Sequence, residues 1–164
     1  MAQSAFAALW LLLGALPIAA WVVWTDLATM KIPNRAVLAL VGVYAVVGIV
    51  TLPLATWAWS WLHLVVVLAV GFVLSQTGGF GAGDAKFAAA MAPFVALGDV
   101  GLFMILLSVL TIVTFVLHRL ARQVPAVRAA APGWVSWDRR DFPFGIALAP
   151  ALIGYLAMSA ISGS

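Results

Sequence analysis

The chain is expected to fold as an all-α, polytopic membrane protein with six transmembrane helices in one bundle. Three observations predict this class. Of its 164 residues, 66% are hydrophobic and only 8% charged, whereas soluble domains carry roughly 25% charged residues. The charges are gathered between long uncharged runs, several of them near the ~20 residues that a bilayer crossing needs. Tryptophans, which favour the membrane interface, crowd a turn as Trp57, Trp59 and Trp61 just after Pro53. The whole length, residues 1–164, is expected to form a single transmembrane domain. Cysteine is absent, which rules out disulfides, thiolate metal sites and cysteine nucleophiles. Acidic groups are few, with five aspartates and no glutamate, and no basic patch suggests nucleic acid.

The first expected span is Ala5 to Thr25, uncharged and about 30 Å long at 1.5 Å per residue. Its ALPIAA segment imitates a signal-peptidase site, but a basic leading region is missing and the apolar run is too long. A retained helix, bent at Pro17, is therefore expected. Asp26 follows, then the polar turn Lys31-Ile32-Pro33-Asn34-Arg35. Residues 36–75 hold no charge apart from a neutral His63 and suit two spans, broken near Thr51-Leu52-Pro53-Leu54. A glycine-crowded stretch comes next, Gly78-Gly79-Phe80-Gly81-Ala82-Gly83-Asp84-Ala85-Lys86. The fourth span, Ala85 to about Gly98, covers only roughly 21 Å, so its Asp84 end is expected to be recessed in a cavity lined by other helices. Gly101 to Leu117 forms the fifth span and Phe142 to Ile161 the sixth, separated by an arginine-rich loop.

With six spans, all eight Lys and Arg residues fall on one side of the membrane. The positive-inside rule makes that side cytoplasmic and puts both termini outside. The same count brings Asp26 and Asp84 to one face. Aspartates in or at the ends of membrane helices are costly to place and point to function. Two of them on one face are the raw material of aspartyl proteolysis, in which one carboxyl acts as general base on a water and the other polarises the scissile carbonyl.

Gly81-Ala82-Gly83-Asp84-Ala85-Lys86 resembles the GxGDxK signature of bacterial type IV prepilin leader peptidases. Asp26, with Ile32-Pro33-Asn34 a few residues on, is similar to that family's first aspartate and following I-P-N. Phe142-Pro143-Phe144-Gly145 resembles the P-F-G or P-Y-G segment opening its last span. The three motifs occur in the family's order across essentially the whole chain, and the small size resembles the single-domain branch that serves Flp/Tad-type pili. The resemblance implies an intramembrane aspartyl endopeptidase with Asp26 and Asp84 as catalytic pair. It would remove the short basic leader of a prepilin at the cytoplasmic face of the bacterial inner membrane. Gly81, Gly83, Lys86, Asn34, Pro143 and Gly145 would support the pair. Larger members carry a cytoplasmic insert between the first two spans, often with zinc-binding cysteines, and N-methylate the cleaved pilin. Here that connection is about ten residues, without cysteine, so neither metal nor other cofactor is expected, nor N-methyltransferase activity.

The remaining polar residues have plainer expectations. Lys86 either orients Asp84 or snorkels to the interface. Asn34 is expected to cap a helix, Gly145 to permit close packing, and His63 to make an interhelical hydrogen bond. Asp138 and Asp141 are expected to pair with neighbouring arginines, Asp141 being the reserve catalytic candidate. The Gly133–Trp137 segment suits an amphipathic strip on the headgroups. Two other functions fit the same aspartates: a small proton- or ion-coupled transporter, and a non-catalytic membrane subunit of a pilus machine.

Overall fold

In a computed structural model the described residues are 1–78 and 81–163, so Gly79 and Phe80 of the glycine-crowded stretch lie outside them. All the regular structure among them is helical: α1 (Ala5–Thr29), α2 (Asn34–Thr51), α3 (Leu54–Gln76), α4 (Ala82–Met91), α5 (Val100–Ala121), α6 (Pro125–Ala130) and α7 (Gly145–Ser162). The chain thus forms the expected all-α membrane bundle. Five of these helices are long and apolar enough to cross a membrane: α1, α2, α3, α5 extended back to Leu97, and α7. The expected fourth span, Ala85 to about Gly98, is not among these five: it takes the form of the 10-residue α4 followed by two 3-10 turns, Ala92–Phe94 and Leu97–Asp99. Pro93 lies in the first of these turns; without an amide hydrogen it cannot extend the α-helical ladder, which stops at Met91.

Helix ends follow local chemistry. The Ser4 hydroxyl caps α1 by accepting the Ala7 amide at 3.2 Å. α1 continues past the expected end at Thr25 to Thr29 and stops where Met30 turns left-handed at φ 56°. Asp26 is therefore not beyond the helix but inside its last turn. The break between α2 and α3 falls at Leu52-Pro53, as expected.

α1 and α7 are the most extensively packed pair, with α2 and α4 closing around them and α3 resting on α4. Leu11 and Val22 of α1, Tyr44 of α2, Phe87 of α4 and Leu152 of α7 meet in this buried centre. In lipid such contacts are held by close packing rather than by exclusion of water. At the α3–α4 contact, a Cβ added to Gly71 would stand 2.9 Å from the Ala85 Cβ, so glycine is what lets the two backbones approach. The outer helices are nearly bare. Only 11% of the most apolar window of α3 and 6% of that of α5 is buried, against 56% for α7.

The two ends of the bundle differ. One carries the α1–α2 turn, the start of α4, the end of α5 and the loop into α7, and with them every Lys and Arg. In that loop Arg128 pairs with Asp138 at 2.8 Å, while Arg119 and Arg122 donate to the Arg140 and Arg139 carbonyls at 2.6 and 3.1 Å. In the Gly133–Trp137 segment, expected as an amphipathic strip, Ser136 and Trp137 are buried while Gly133 and Val135 stay exposed. Trp137 is buried, stacks on His118 and donates its indole N–H to the Ala131 carbonyl at 2.8 Å. At the opposite end the Asp99 carboxylate accepts the Ala2 and Gln3 amides at 2.8 and 3.2 Å and the Tyr155 hydroxyl at 3.0 Å.

Candidate active site

Asp26 and Asp84 line one cavity of about 870 Å³ at the basic end, and each lies within electrostatic range of the other. They arrive there by different routes. Asp26 projects from the last turn of α1, is 4% exposed, and is held by the start of α7: the Gly145 amide donates to its Oδ2 at 2.7 Å. A Cβ on Gly145 would sit 2.8 Å from that Oδ2 and 3.2 Å from the Asp26 Cβ and Cγ. Any larger residue would therefore have to displace the carboxylate. The buried Pro143 precedes it, and the Ile146 amide closes a tight turn onto the Pro143 carbonyl at 3.3 Å. The turn aims the Gly145 amide, one of the unpaired N–H groups of a helix start, at Asp26.

Asp84 is the third residue of α4. Gly81 is its N-cap, and the carboxylate reaches back to the Gly81 backbone, the acidic half of a capping box. The helix start favours negative charge there. A Cβ on Gly81 would come within 2.5 Å of the Asp84 Oδ2, so this glycine makes room for the fold-back. Gly83 lies against Ile32, the nearest contacts for an added Cβ being 3.6–3.8 Å away. That places the Ile32-Pro33-Asn34 turn directly beside the Gly81–Asp84 turn.

Lys86 and Asn34 join the two turns. The Lys86 ammonium donates to the Asn34 Oδ1 at 3.3 Å. The bond gives Lys86 a partner other than Asp84, at an exposed position that also suits snorkelling. Lys86 makes no ion pair with Asp84 among the described residues. Asn34 is the first residue of α2 and Pro33 takes the cap position without a side-chain bond, so Asn34's amide oxygen is free for the lysine. His63 makes no interhelical hydrogen bond among the described residues; it faces an apolar groove, because α5, the helix across from it, stands away from α3.

The cavity wall also holds residues that motif reading did not single out: Met30 and Lys31 after α1, Thr111 of α5, and Arg139 of the loop, together with the reserve candidate Asp141. In the sequence Lys31 and Arg139 show only as charges of a turn and a loop, and Thr111 only as a polar residue in an apolar span. No cluster of metal-ligating side chains occurs among the described residues. What the site offers is a pair of carboxyls facing one space, suited to acid–base chemistry on a bond brought between them.

A helical membrane bundle with two carboxyls lining one cavity defines the class of protein by arrangement, and comparison with known families specifies it. Residues 6–117 match the model of the type IV leader peptidase family, more than half of the chain, and the chain belongs to that family. No curated protein and no solved structure matches it. Membership makes the protein a leader-peptidase-type protease of a membrane. The matched range contains Asp26 and Asp84 but ends before Gly145.

Proposed function

We propose that Asp26 and Asp84 are the catalytic carboxyls of an intramembrane aspartyl endopeptidase that removes the basic leader of Flp-type prepilins at the cytoplasmic face. The observation that carries this reading is the meeting of the two carboxyls in one cavity from positions 58 residues apart (84 − 26), each held by a helix-start backbone. One carboxylate takes a proton from water as the water oxygen attacks the scissile carbonyl carbon. The other, protonated, donates its proton to the carbonyl oxygen. The resulting gem-diol collapses, the amide nitrogen gains a proton, and the C–N bond breaks to release leader and pilin. The Gly145 amide occupies Oδ2 of Asp26 and holds the carboxyl in one orientation. Gly81, Gly83 and Pro143 shape the turns, and Lys86 with Asn34 ties them together.

Single-domain organisation fits the single helix bundle, and the gathering of Lys and Arg at the active-site end supports a cytoplasmic orientation with both termini outside. The reaction needs neither metal nor cofactor, and N-methylation is not part of this reading. Family membership favours peptidase over transporter or non-catalytic assembly subunit.

The test is cleavage of a co-expressed prepilin by Asp26→Asn and Asp84→Asn, each shown to be folded. Loss of about 10²–10⁴-fold is expected for each, the range for removing an acid–base group. Normal processing by either variant would overturn the assignment.

A further inference from the structure

A second cavity, about 630 Å³, opens between α3 and α5. Among the described residues these two helices hardly touch, and the half-buried Ala88 and Ala92 lie between them. Its walls are apolar: Trp59 and Val66 on α3, Met91 on α4, Val100 and Met104 on α5. Several are wide open, with Trp59 71%, Val66 52% and Met104 46% exposed.

The groove and the catalytic cavity are lined by successive helical turns at three places. On α4, Asp84 in the catalytic cavity is followed one turn on by Ala88 in the groove, and then by Ala92 in the 3-10 turn after α4. On α5, Thr111 in the cavity is preceded by Leu107, Met104 and Val100 in the groove. On α7, Phe144 in the cavity is followed by Leu148 in the groove. Residues three or four apart share a helix face, so each helix presents one face that is polar or mixed at the catalytic end and apolar beyond it. From Val100 to Leu107 the groove extends about 10 Å, or two helical turns.

We infer that this groove seats the apolar transmembrane helix of the polypeptide substrate, entering from lipid between α3 and α5, while the adjoining peptide bond reaches Asp26 and Asp84. The inference rests on the peptidase reading and adds the path by which the substrate's helix reaches the carboxyls. The continuity with the carboxyl pair favours this occupant over a lipid chain, because a helix in the groove projects its end into the catalytic cavity. Small Ala88 and Ala92 on the floor permit close helix approach, and the groove takes one face of the incoming helix.

The absence of cysteine makes disulfide trapping unambiguous. Full-length chains bearing Asp84→Asn and a single Val66→Cys, Met104→Cys or Val46→Cys are combined in membranes with a same-genome prepilin carrying one cysteine scanned along its apolar helix. Val46 is a lipid-exposed control on α2. Trapping at Val66→Cys and Met104→Cys is expected to exceed the control at least tenfold, with helical periodicity along the prepilin. Equal yields at all three positions, meaning lipid fills the groove, would overturn the inference; so would trapping only between two copies of the peptidase. In the otherwise unaltered chain, Met104→Trp is expected to lower cleavage of full-length prepilin about tenfold more than cleavage of a short peptide spanning the cut. An equal effect on both would also overturn it. Should Asp84→Asn itself process prepilin normally, the carboxyl assignment fails while the trapping pattern still reports on the groove.

Discussion

At Gly145 a single hydrogen atom in place of a side chain determines where Asp26 can be. The residue donates its amide to the Asp26 Oδ2 at 2.7 Å and leaves no room for a Cβ, which would stand 2.8 Å from the same oxygen. Gly145→Ala keeps the donor but pushes the carboxylate off its line. Misplacement of a reacting group by about an ångström costs as much as 10²-fold in rate. Gly145→Ala is accordingly expected to lower kcat for prepilin cleavage by about 10- to 100-fold while KM changes little, since the substitution touches the carboxyl and not the groove. Steady-state kinetics on purified enzyme checks this; an unchanged kcat would show that Asp26 does not need this placement. From sequence, Gly145 reads as a packing residue, because a backbone donor has no residue-type signature.

The unit at the element scale is the pair of turns that open α2 and α4. Ile32 packs on Gly83, and Lys86 donates to Asn34, so the start of α4, with Asp84 on it, is tied to the α1–α2 connection that follows Asp26. The bond is exposed and modest, worth about 0.5–1 kcal/mol. Lys86→Met and Asn34→Ala are each expected to lower kcat/KM about threefold. Because both remove the same contact, the double variant is expected to be no worse than the poorer single one. A double-mutant cycle on prepilin cleavage measures this, and simple multiplication of the two losses would mean the residues act separately. The motifs containing these residues are legible in the chain, but their contact is not, since they lie 52 residues apart.

At the scale of the whole molecule, the bundle is fastened at the end away from the carboxyls. The Tyr155 hydroxyl accepts the Ala96 amide at 3.1 Å and donates to Asp99, which also holds the Ala2 and Gln3 amides. Tyr155→Phe strands the Ala96 amide, at a cost of about 1–3 kcal/mol. Tyr155 lies roughly 15 Å along α7 from Gly145. The variant is expected to melt at a lower temperature in detergent yet cleave prepilin at the normal rate per folded molecule; a rate loss in the folded fraction would tie this latch to the active end. Nothing in the sequence marks Asp99 for this role, because its partners come from two distant segments, the N-terminus and α7.

The sequence by itself determined the membrane class, the apolar helices, the gathering of charge at one end and the peptidase family, because composition, run length and short motifs are local properties. It also brought Asp26 and Asp84 forward as candidates, since an acid in an apolar chain is conspicuous. Tertiary structure alone decided the extension of α1 through Asp26, the Gly145 amide on its carboxylate and the lysine–asparagine tie. It also decided that α3 and α5 stand apart and leave a groove. Each of these depends on how separate helices pack, and packing is set by shape and backbone approach between segments far apart in the chain.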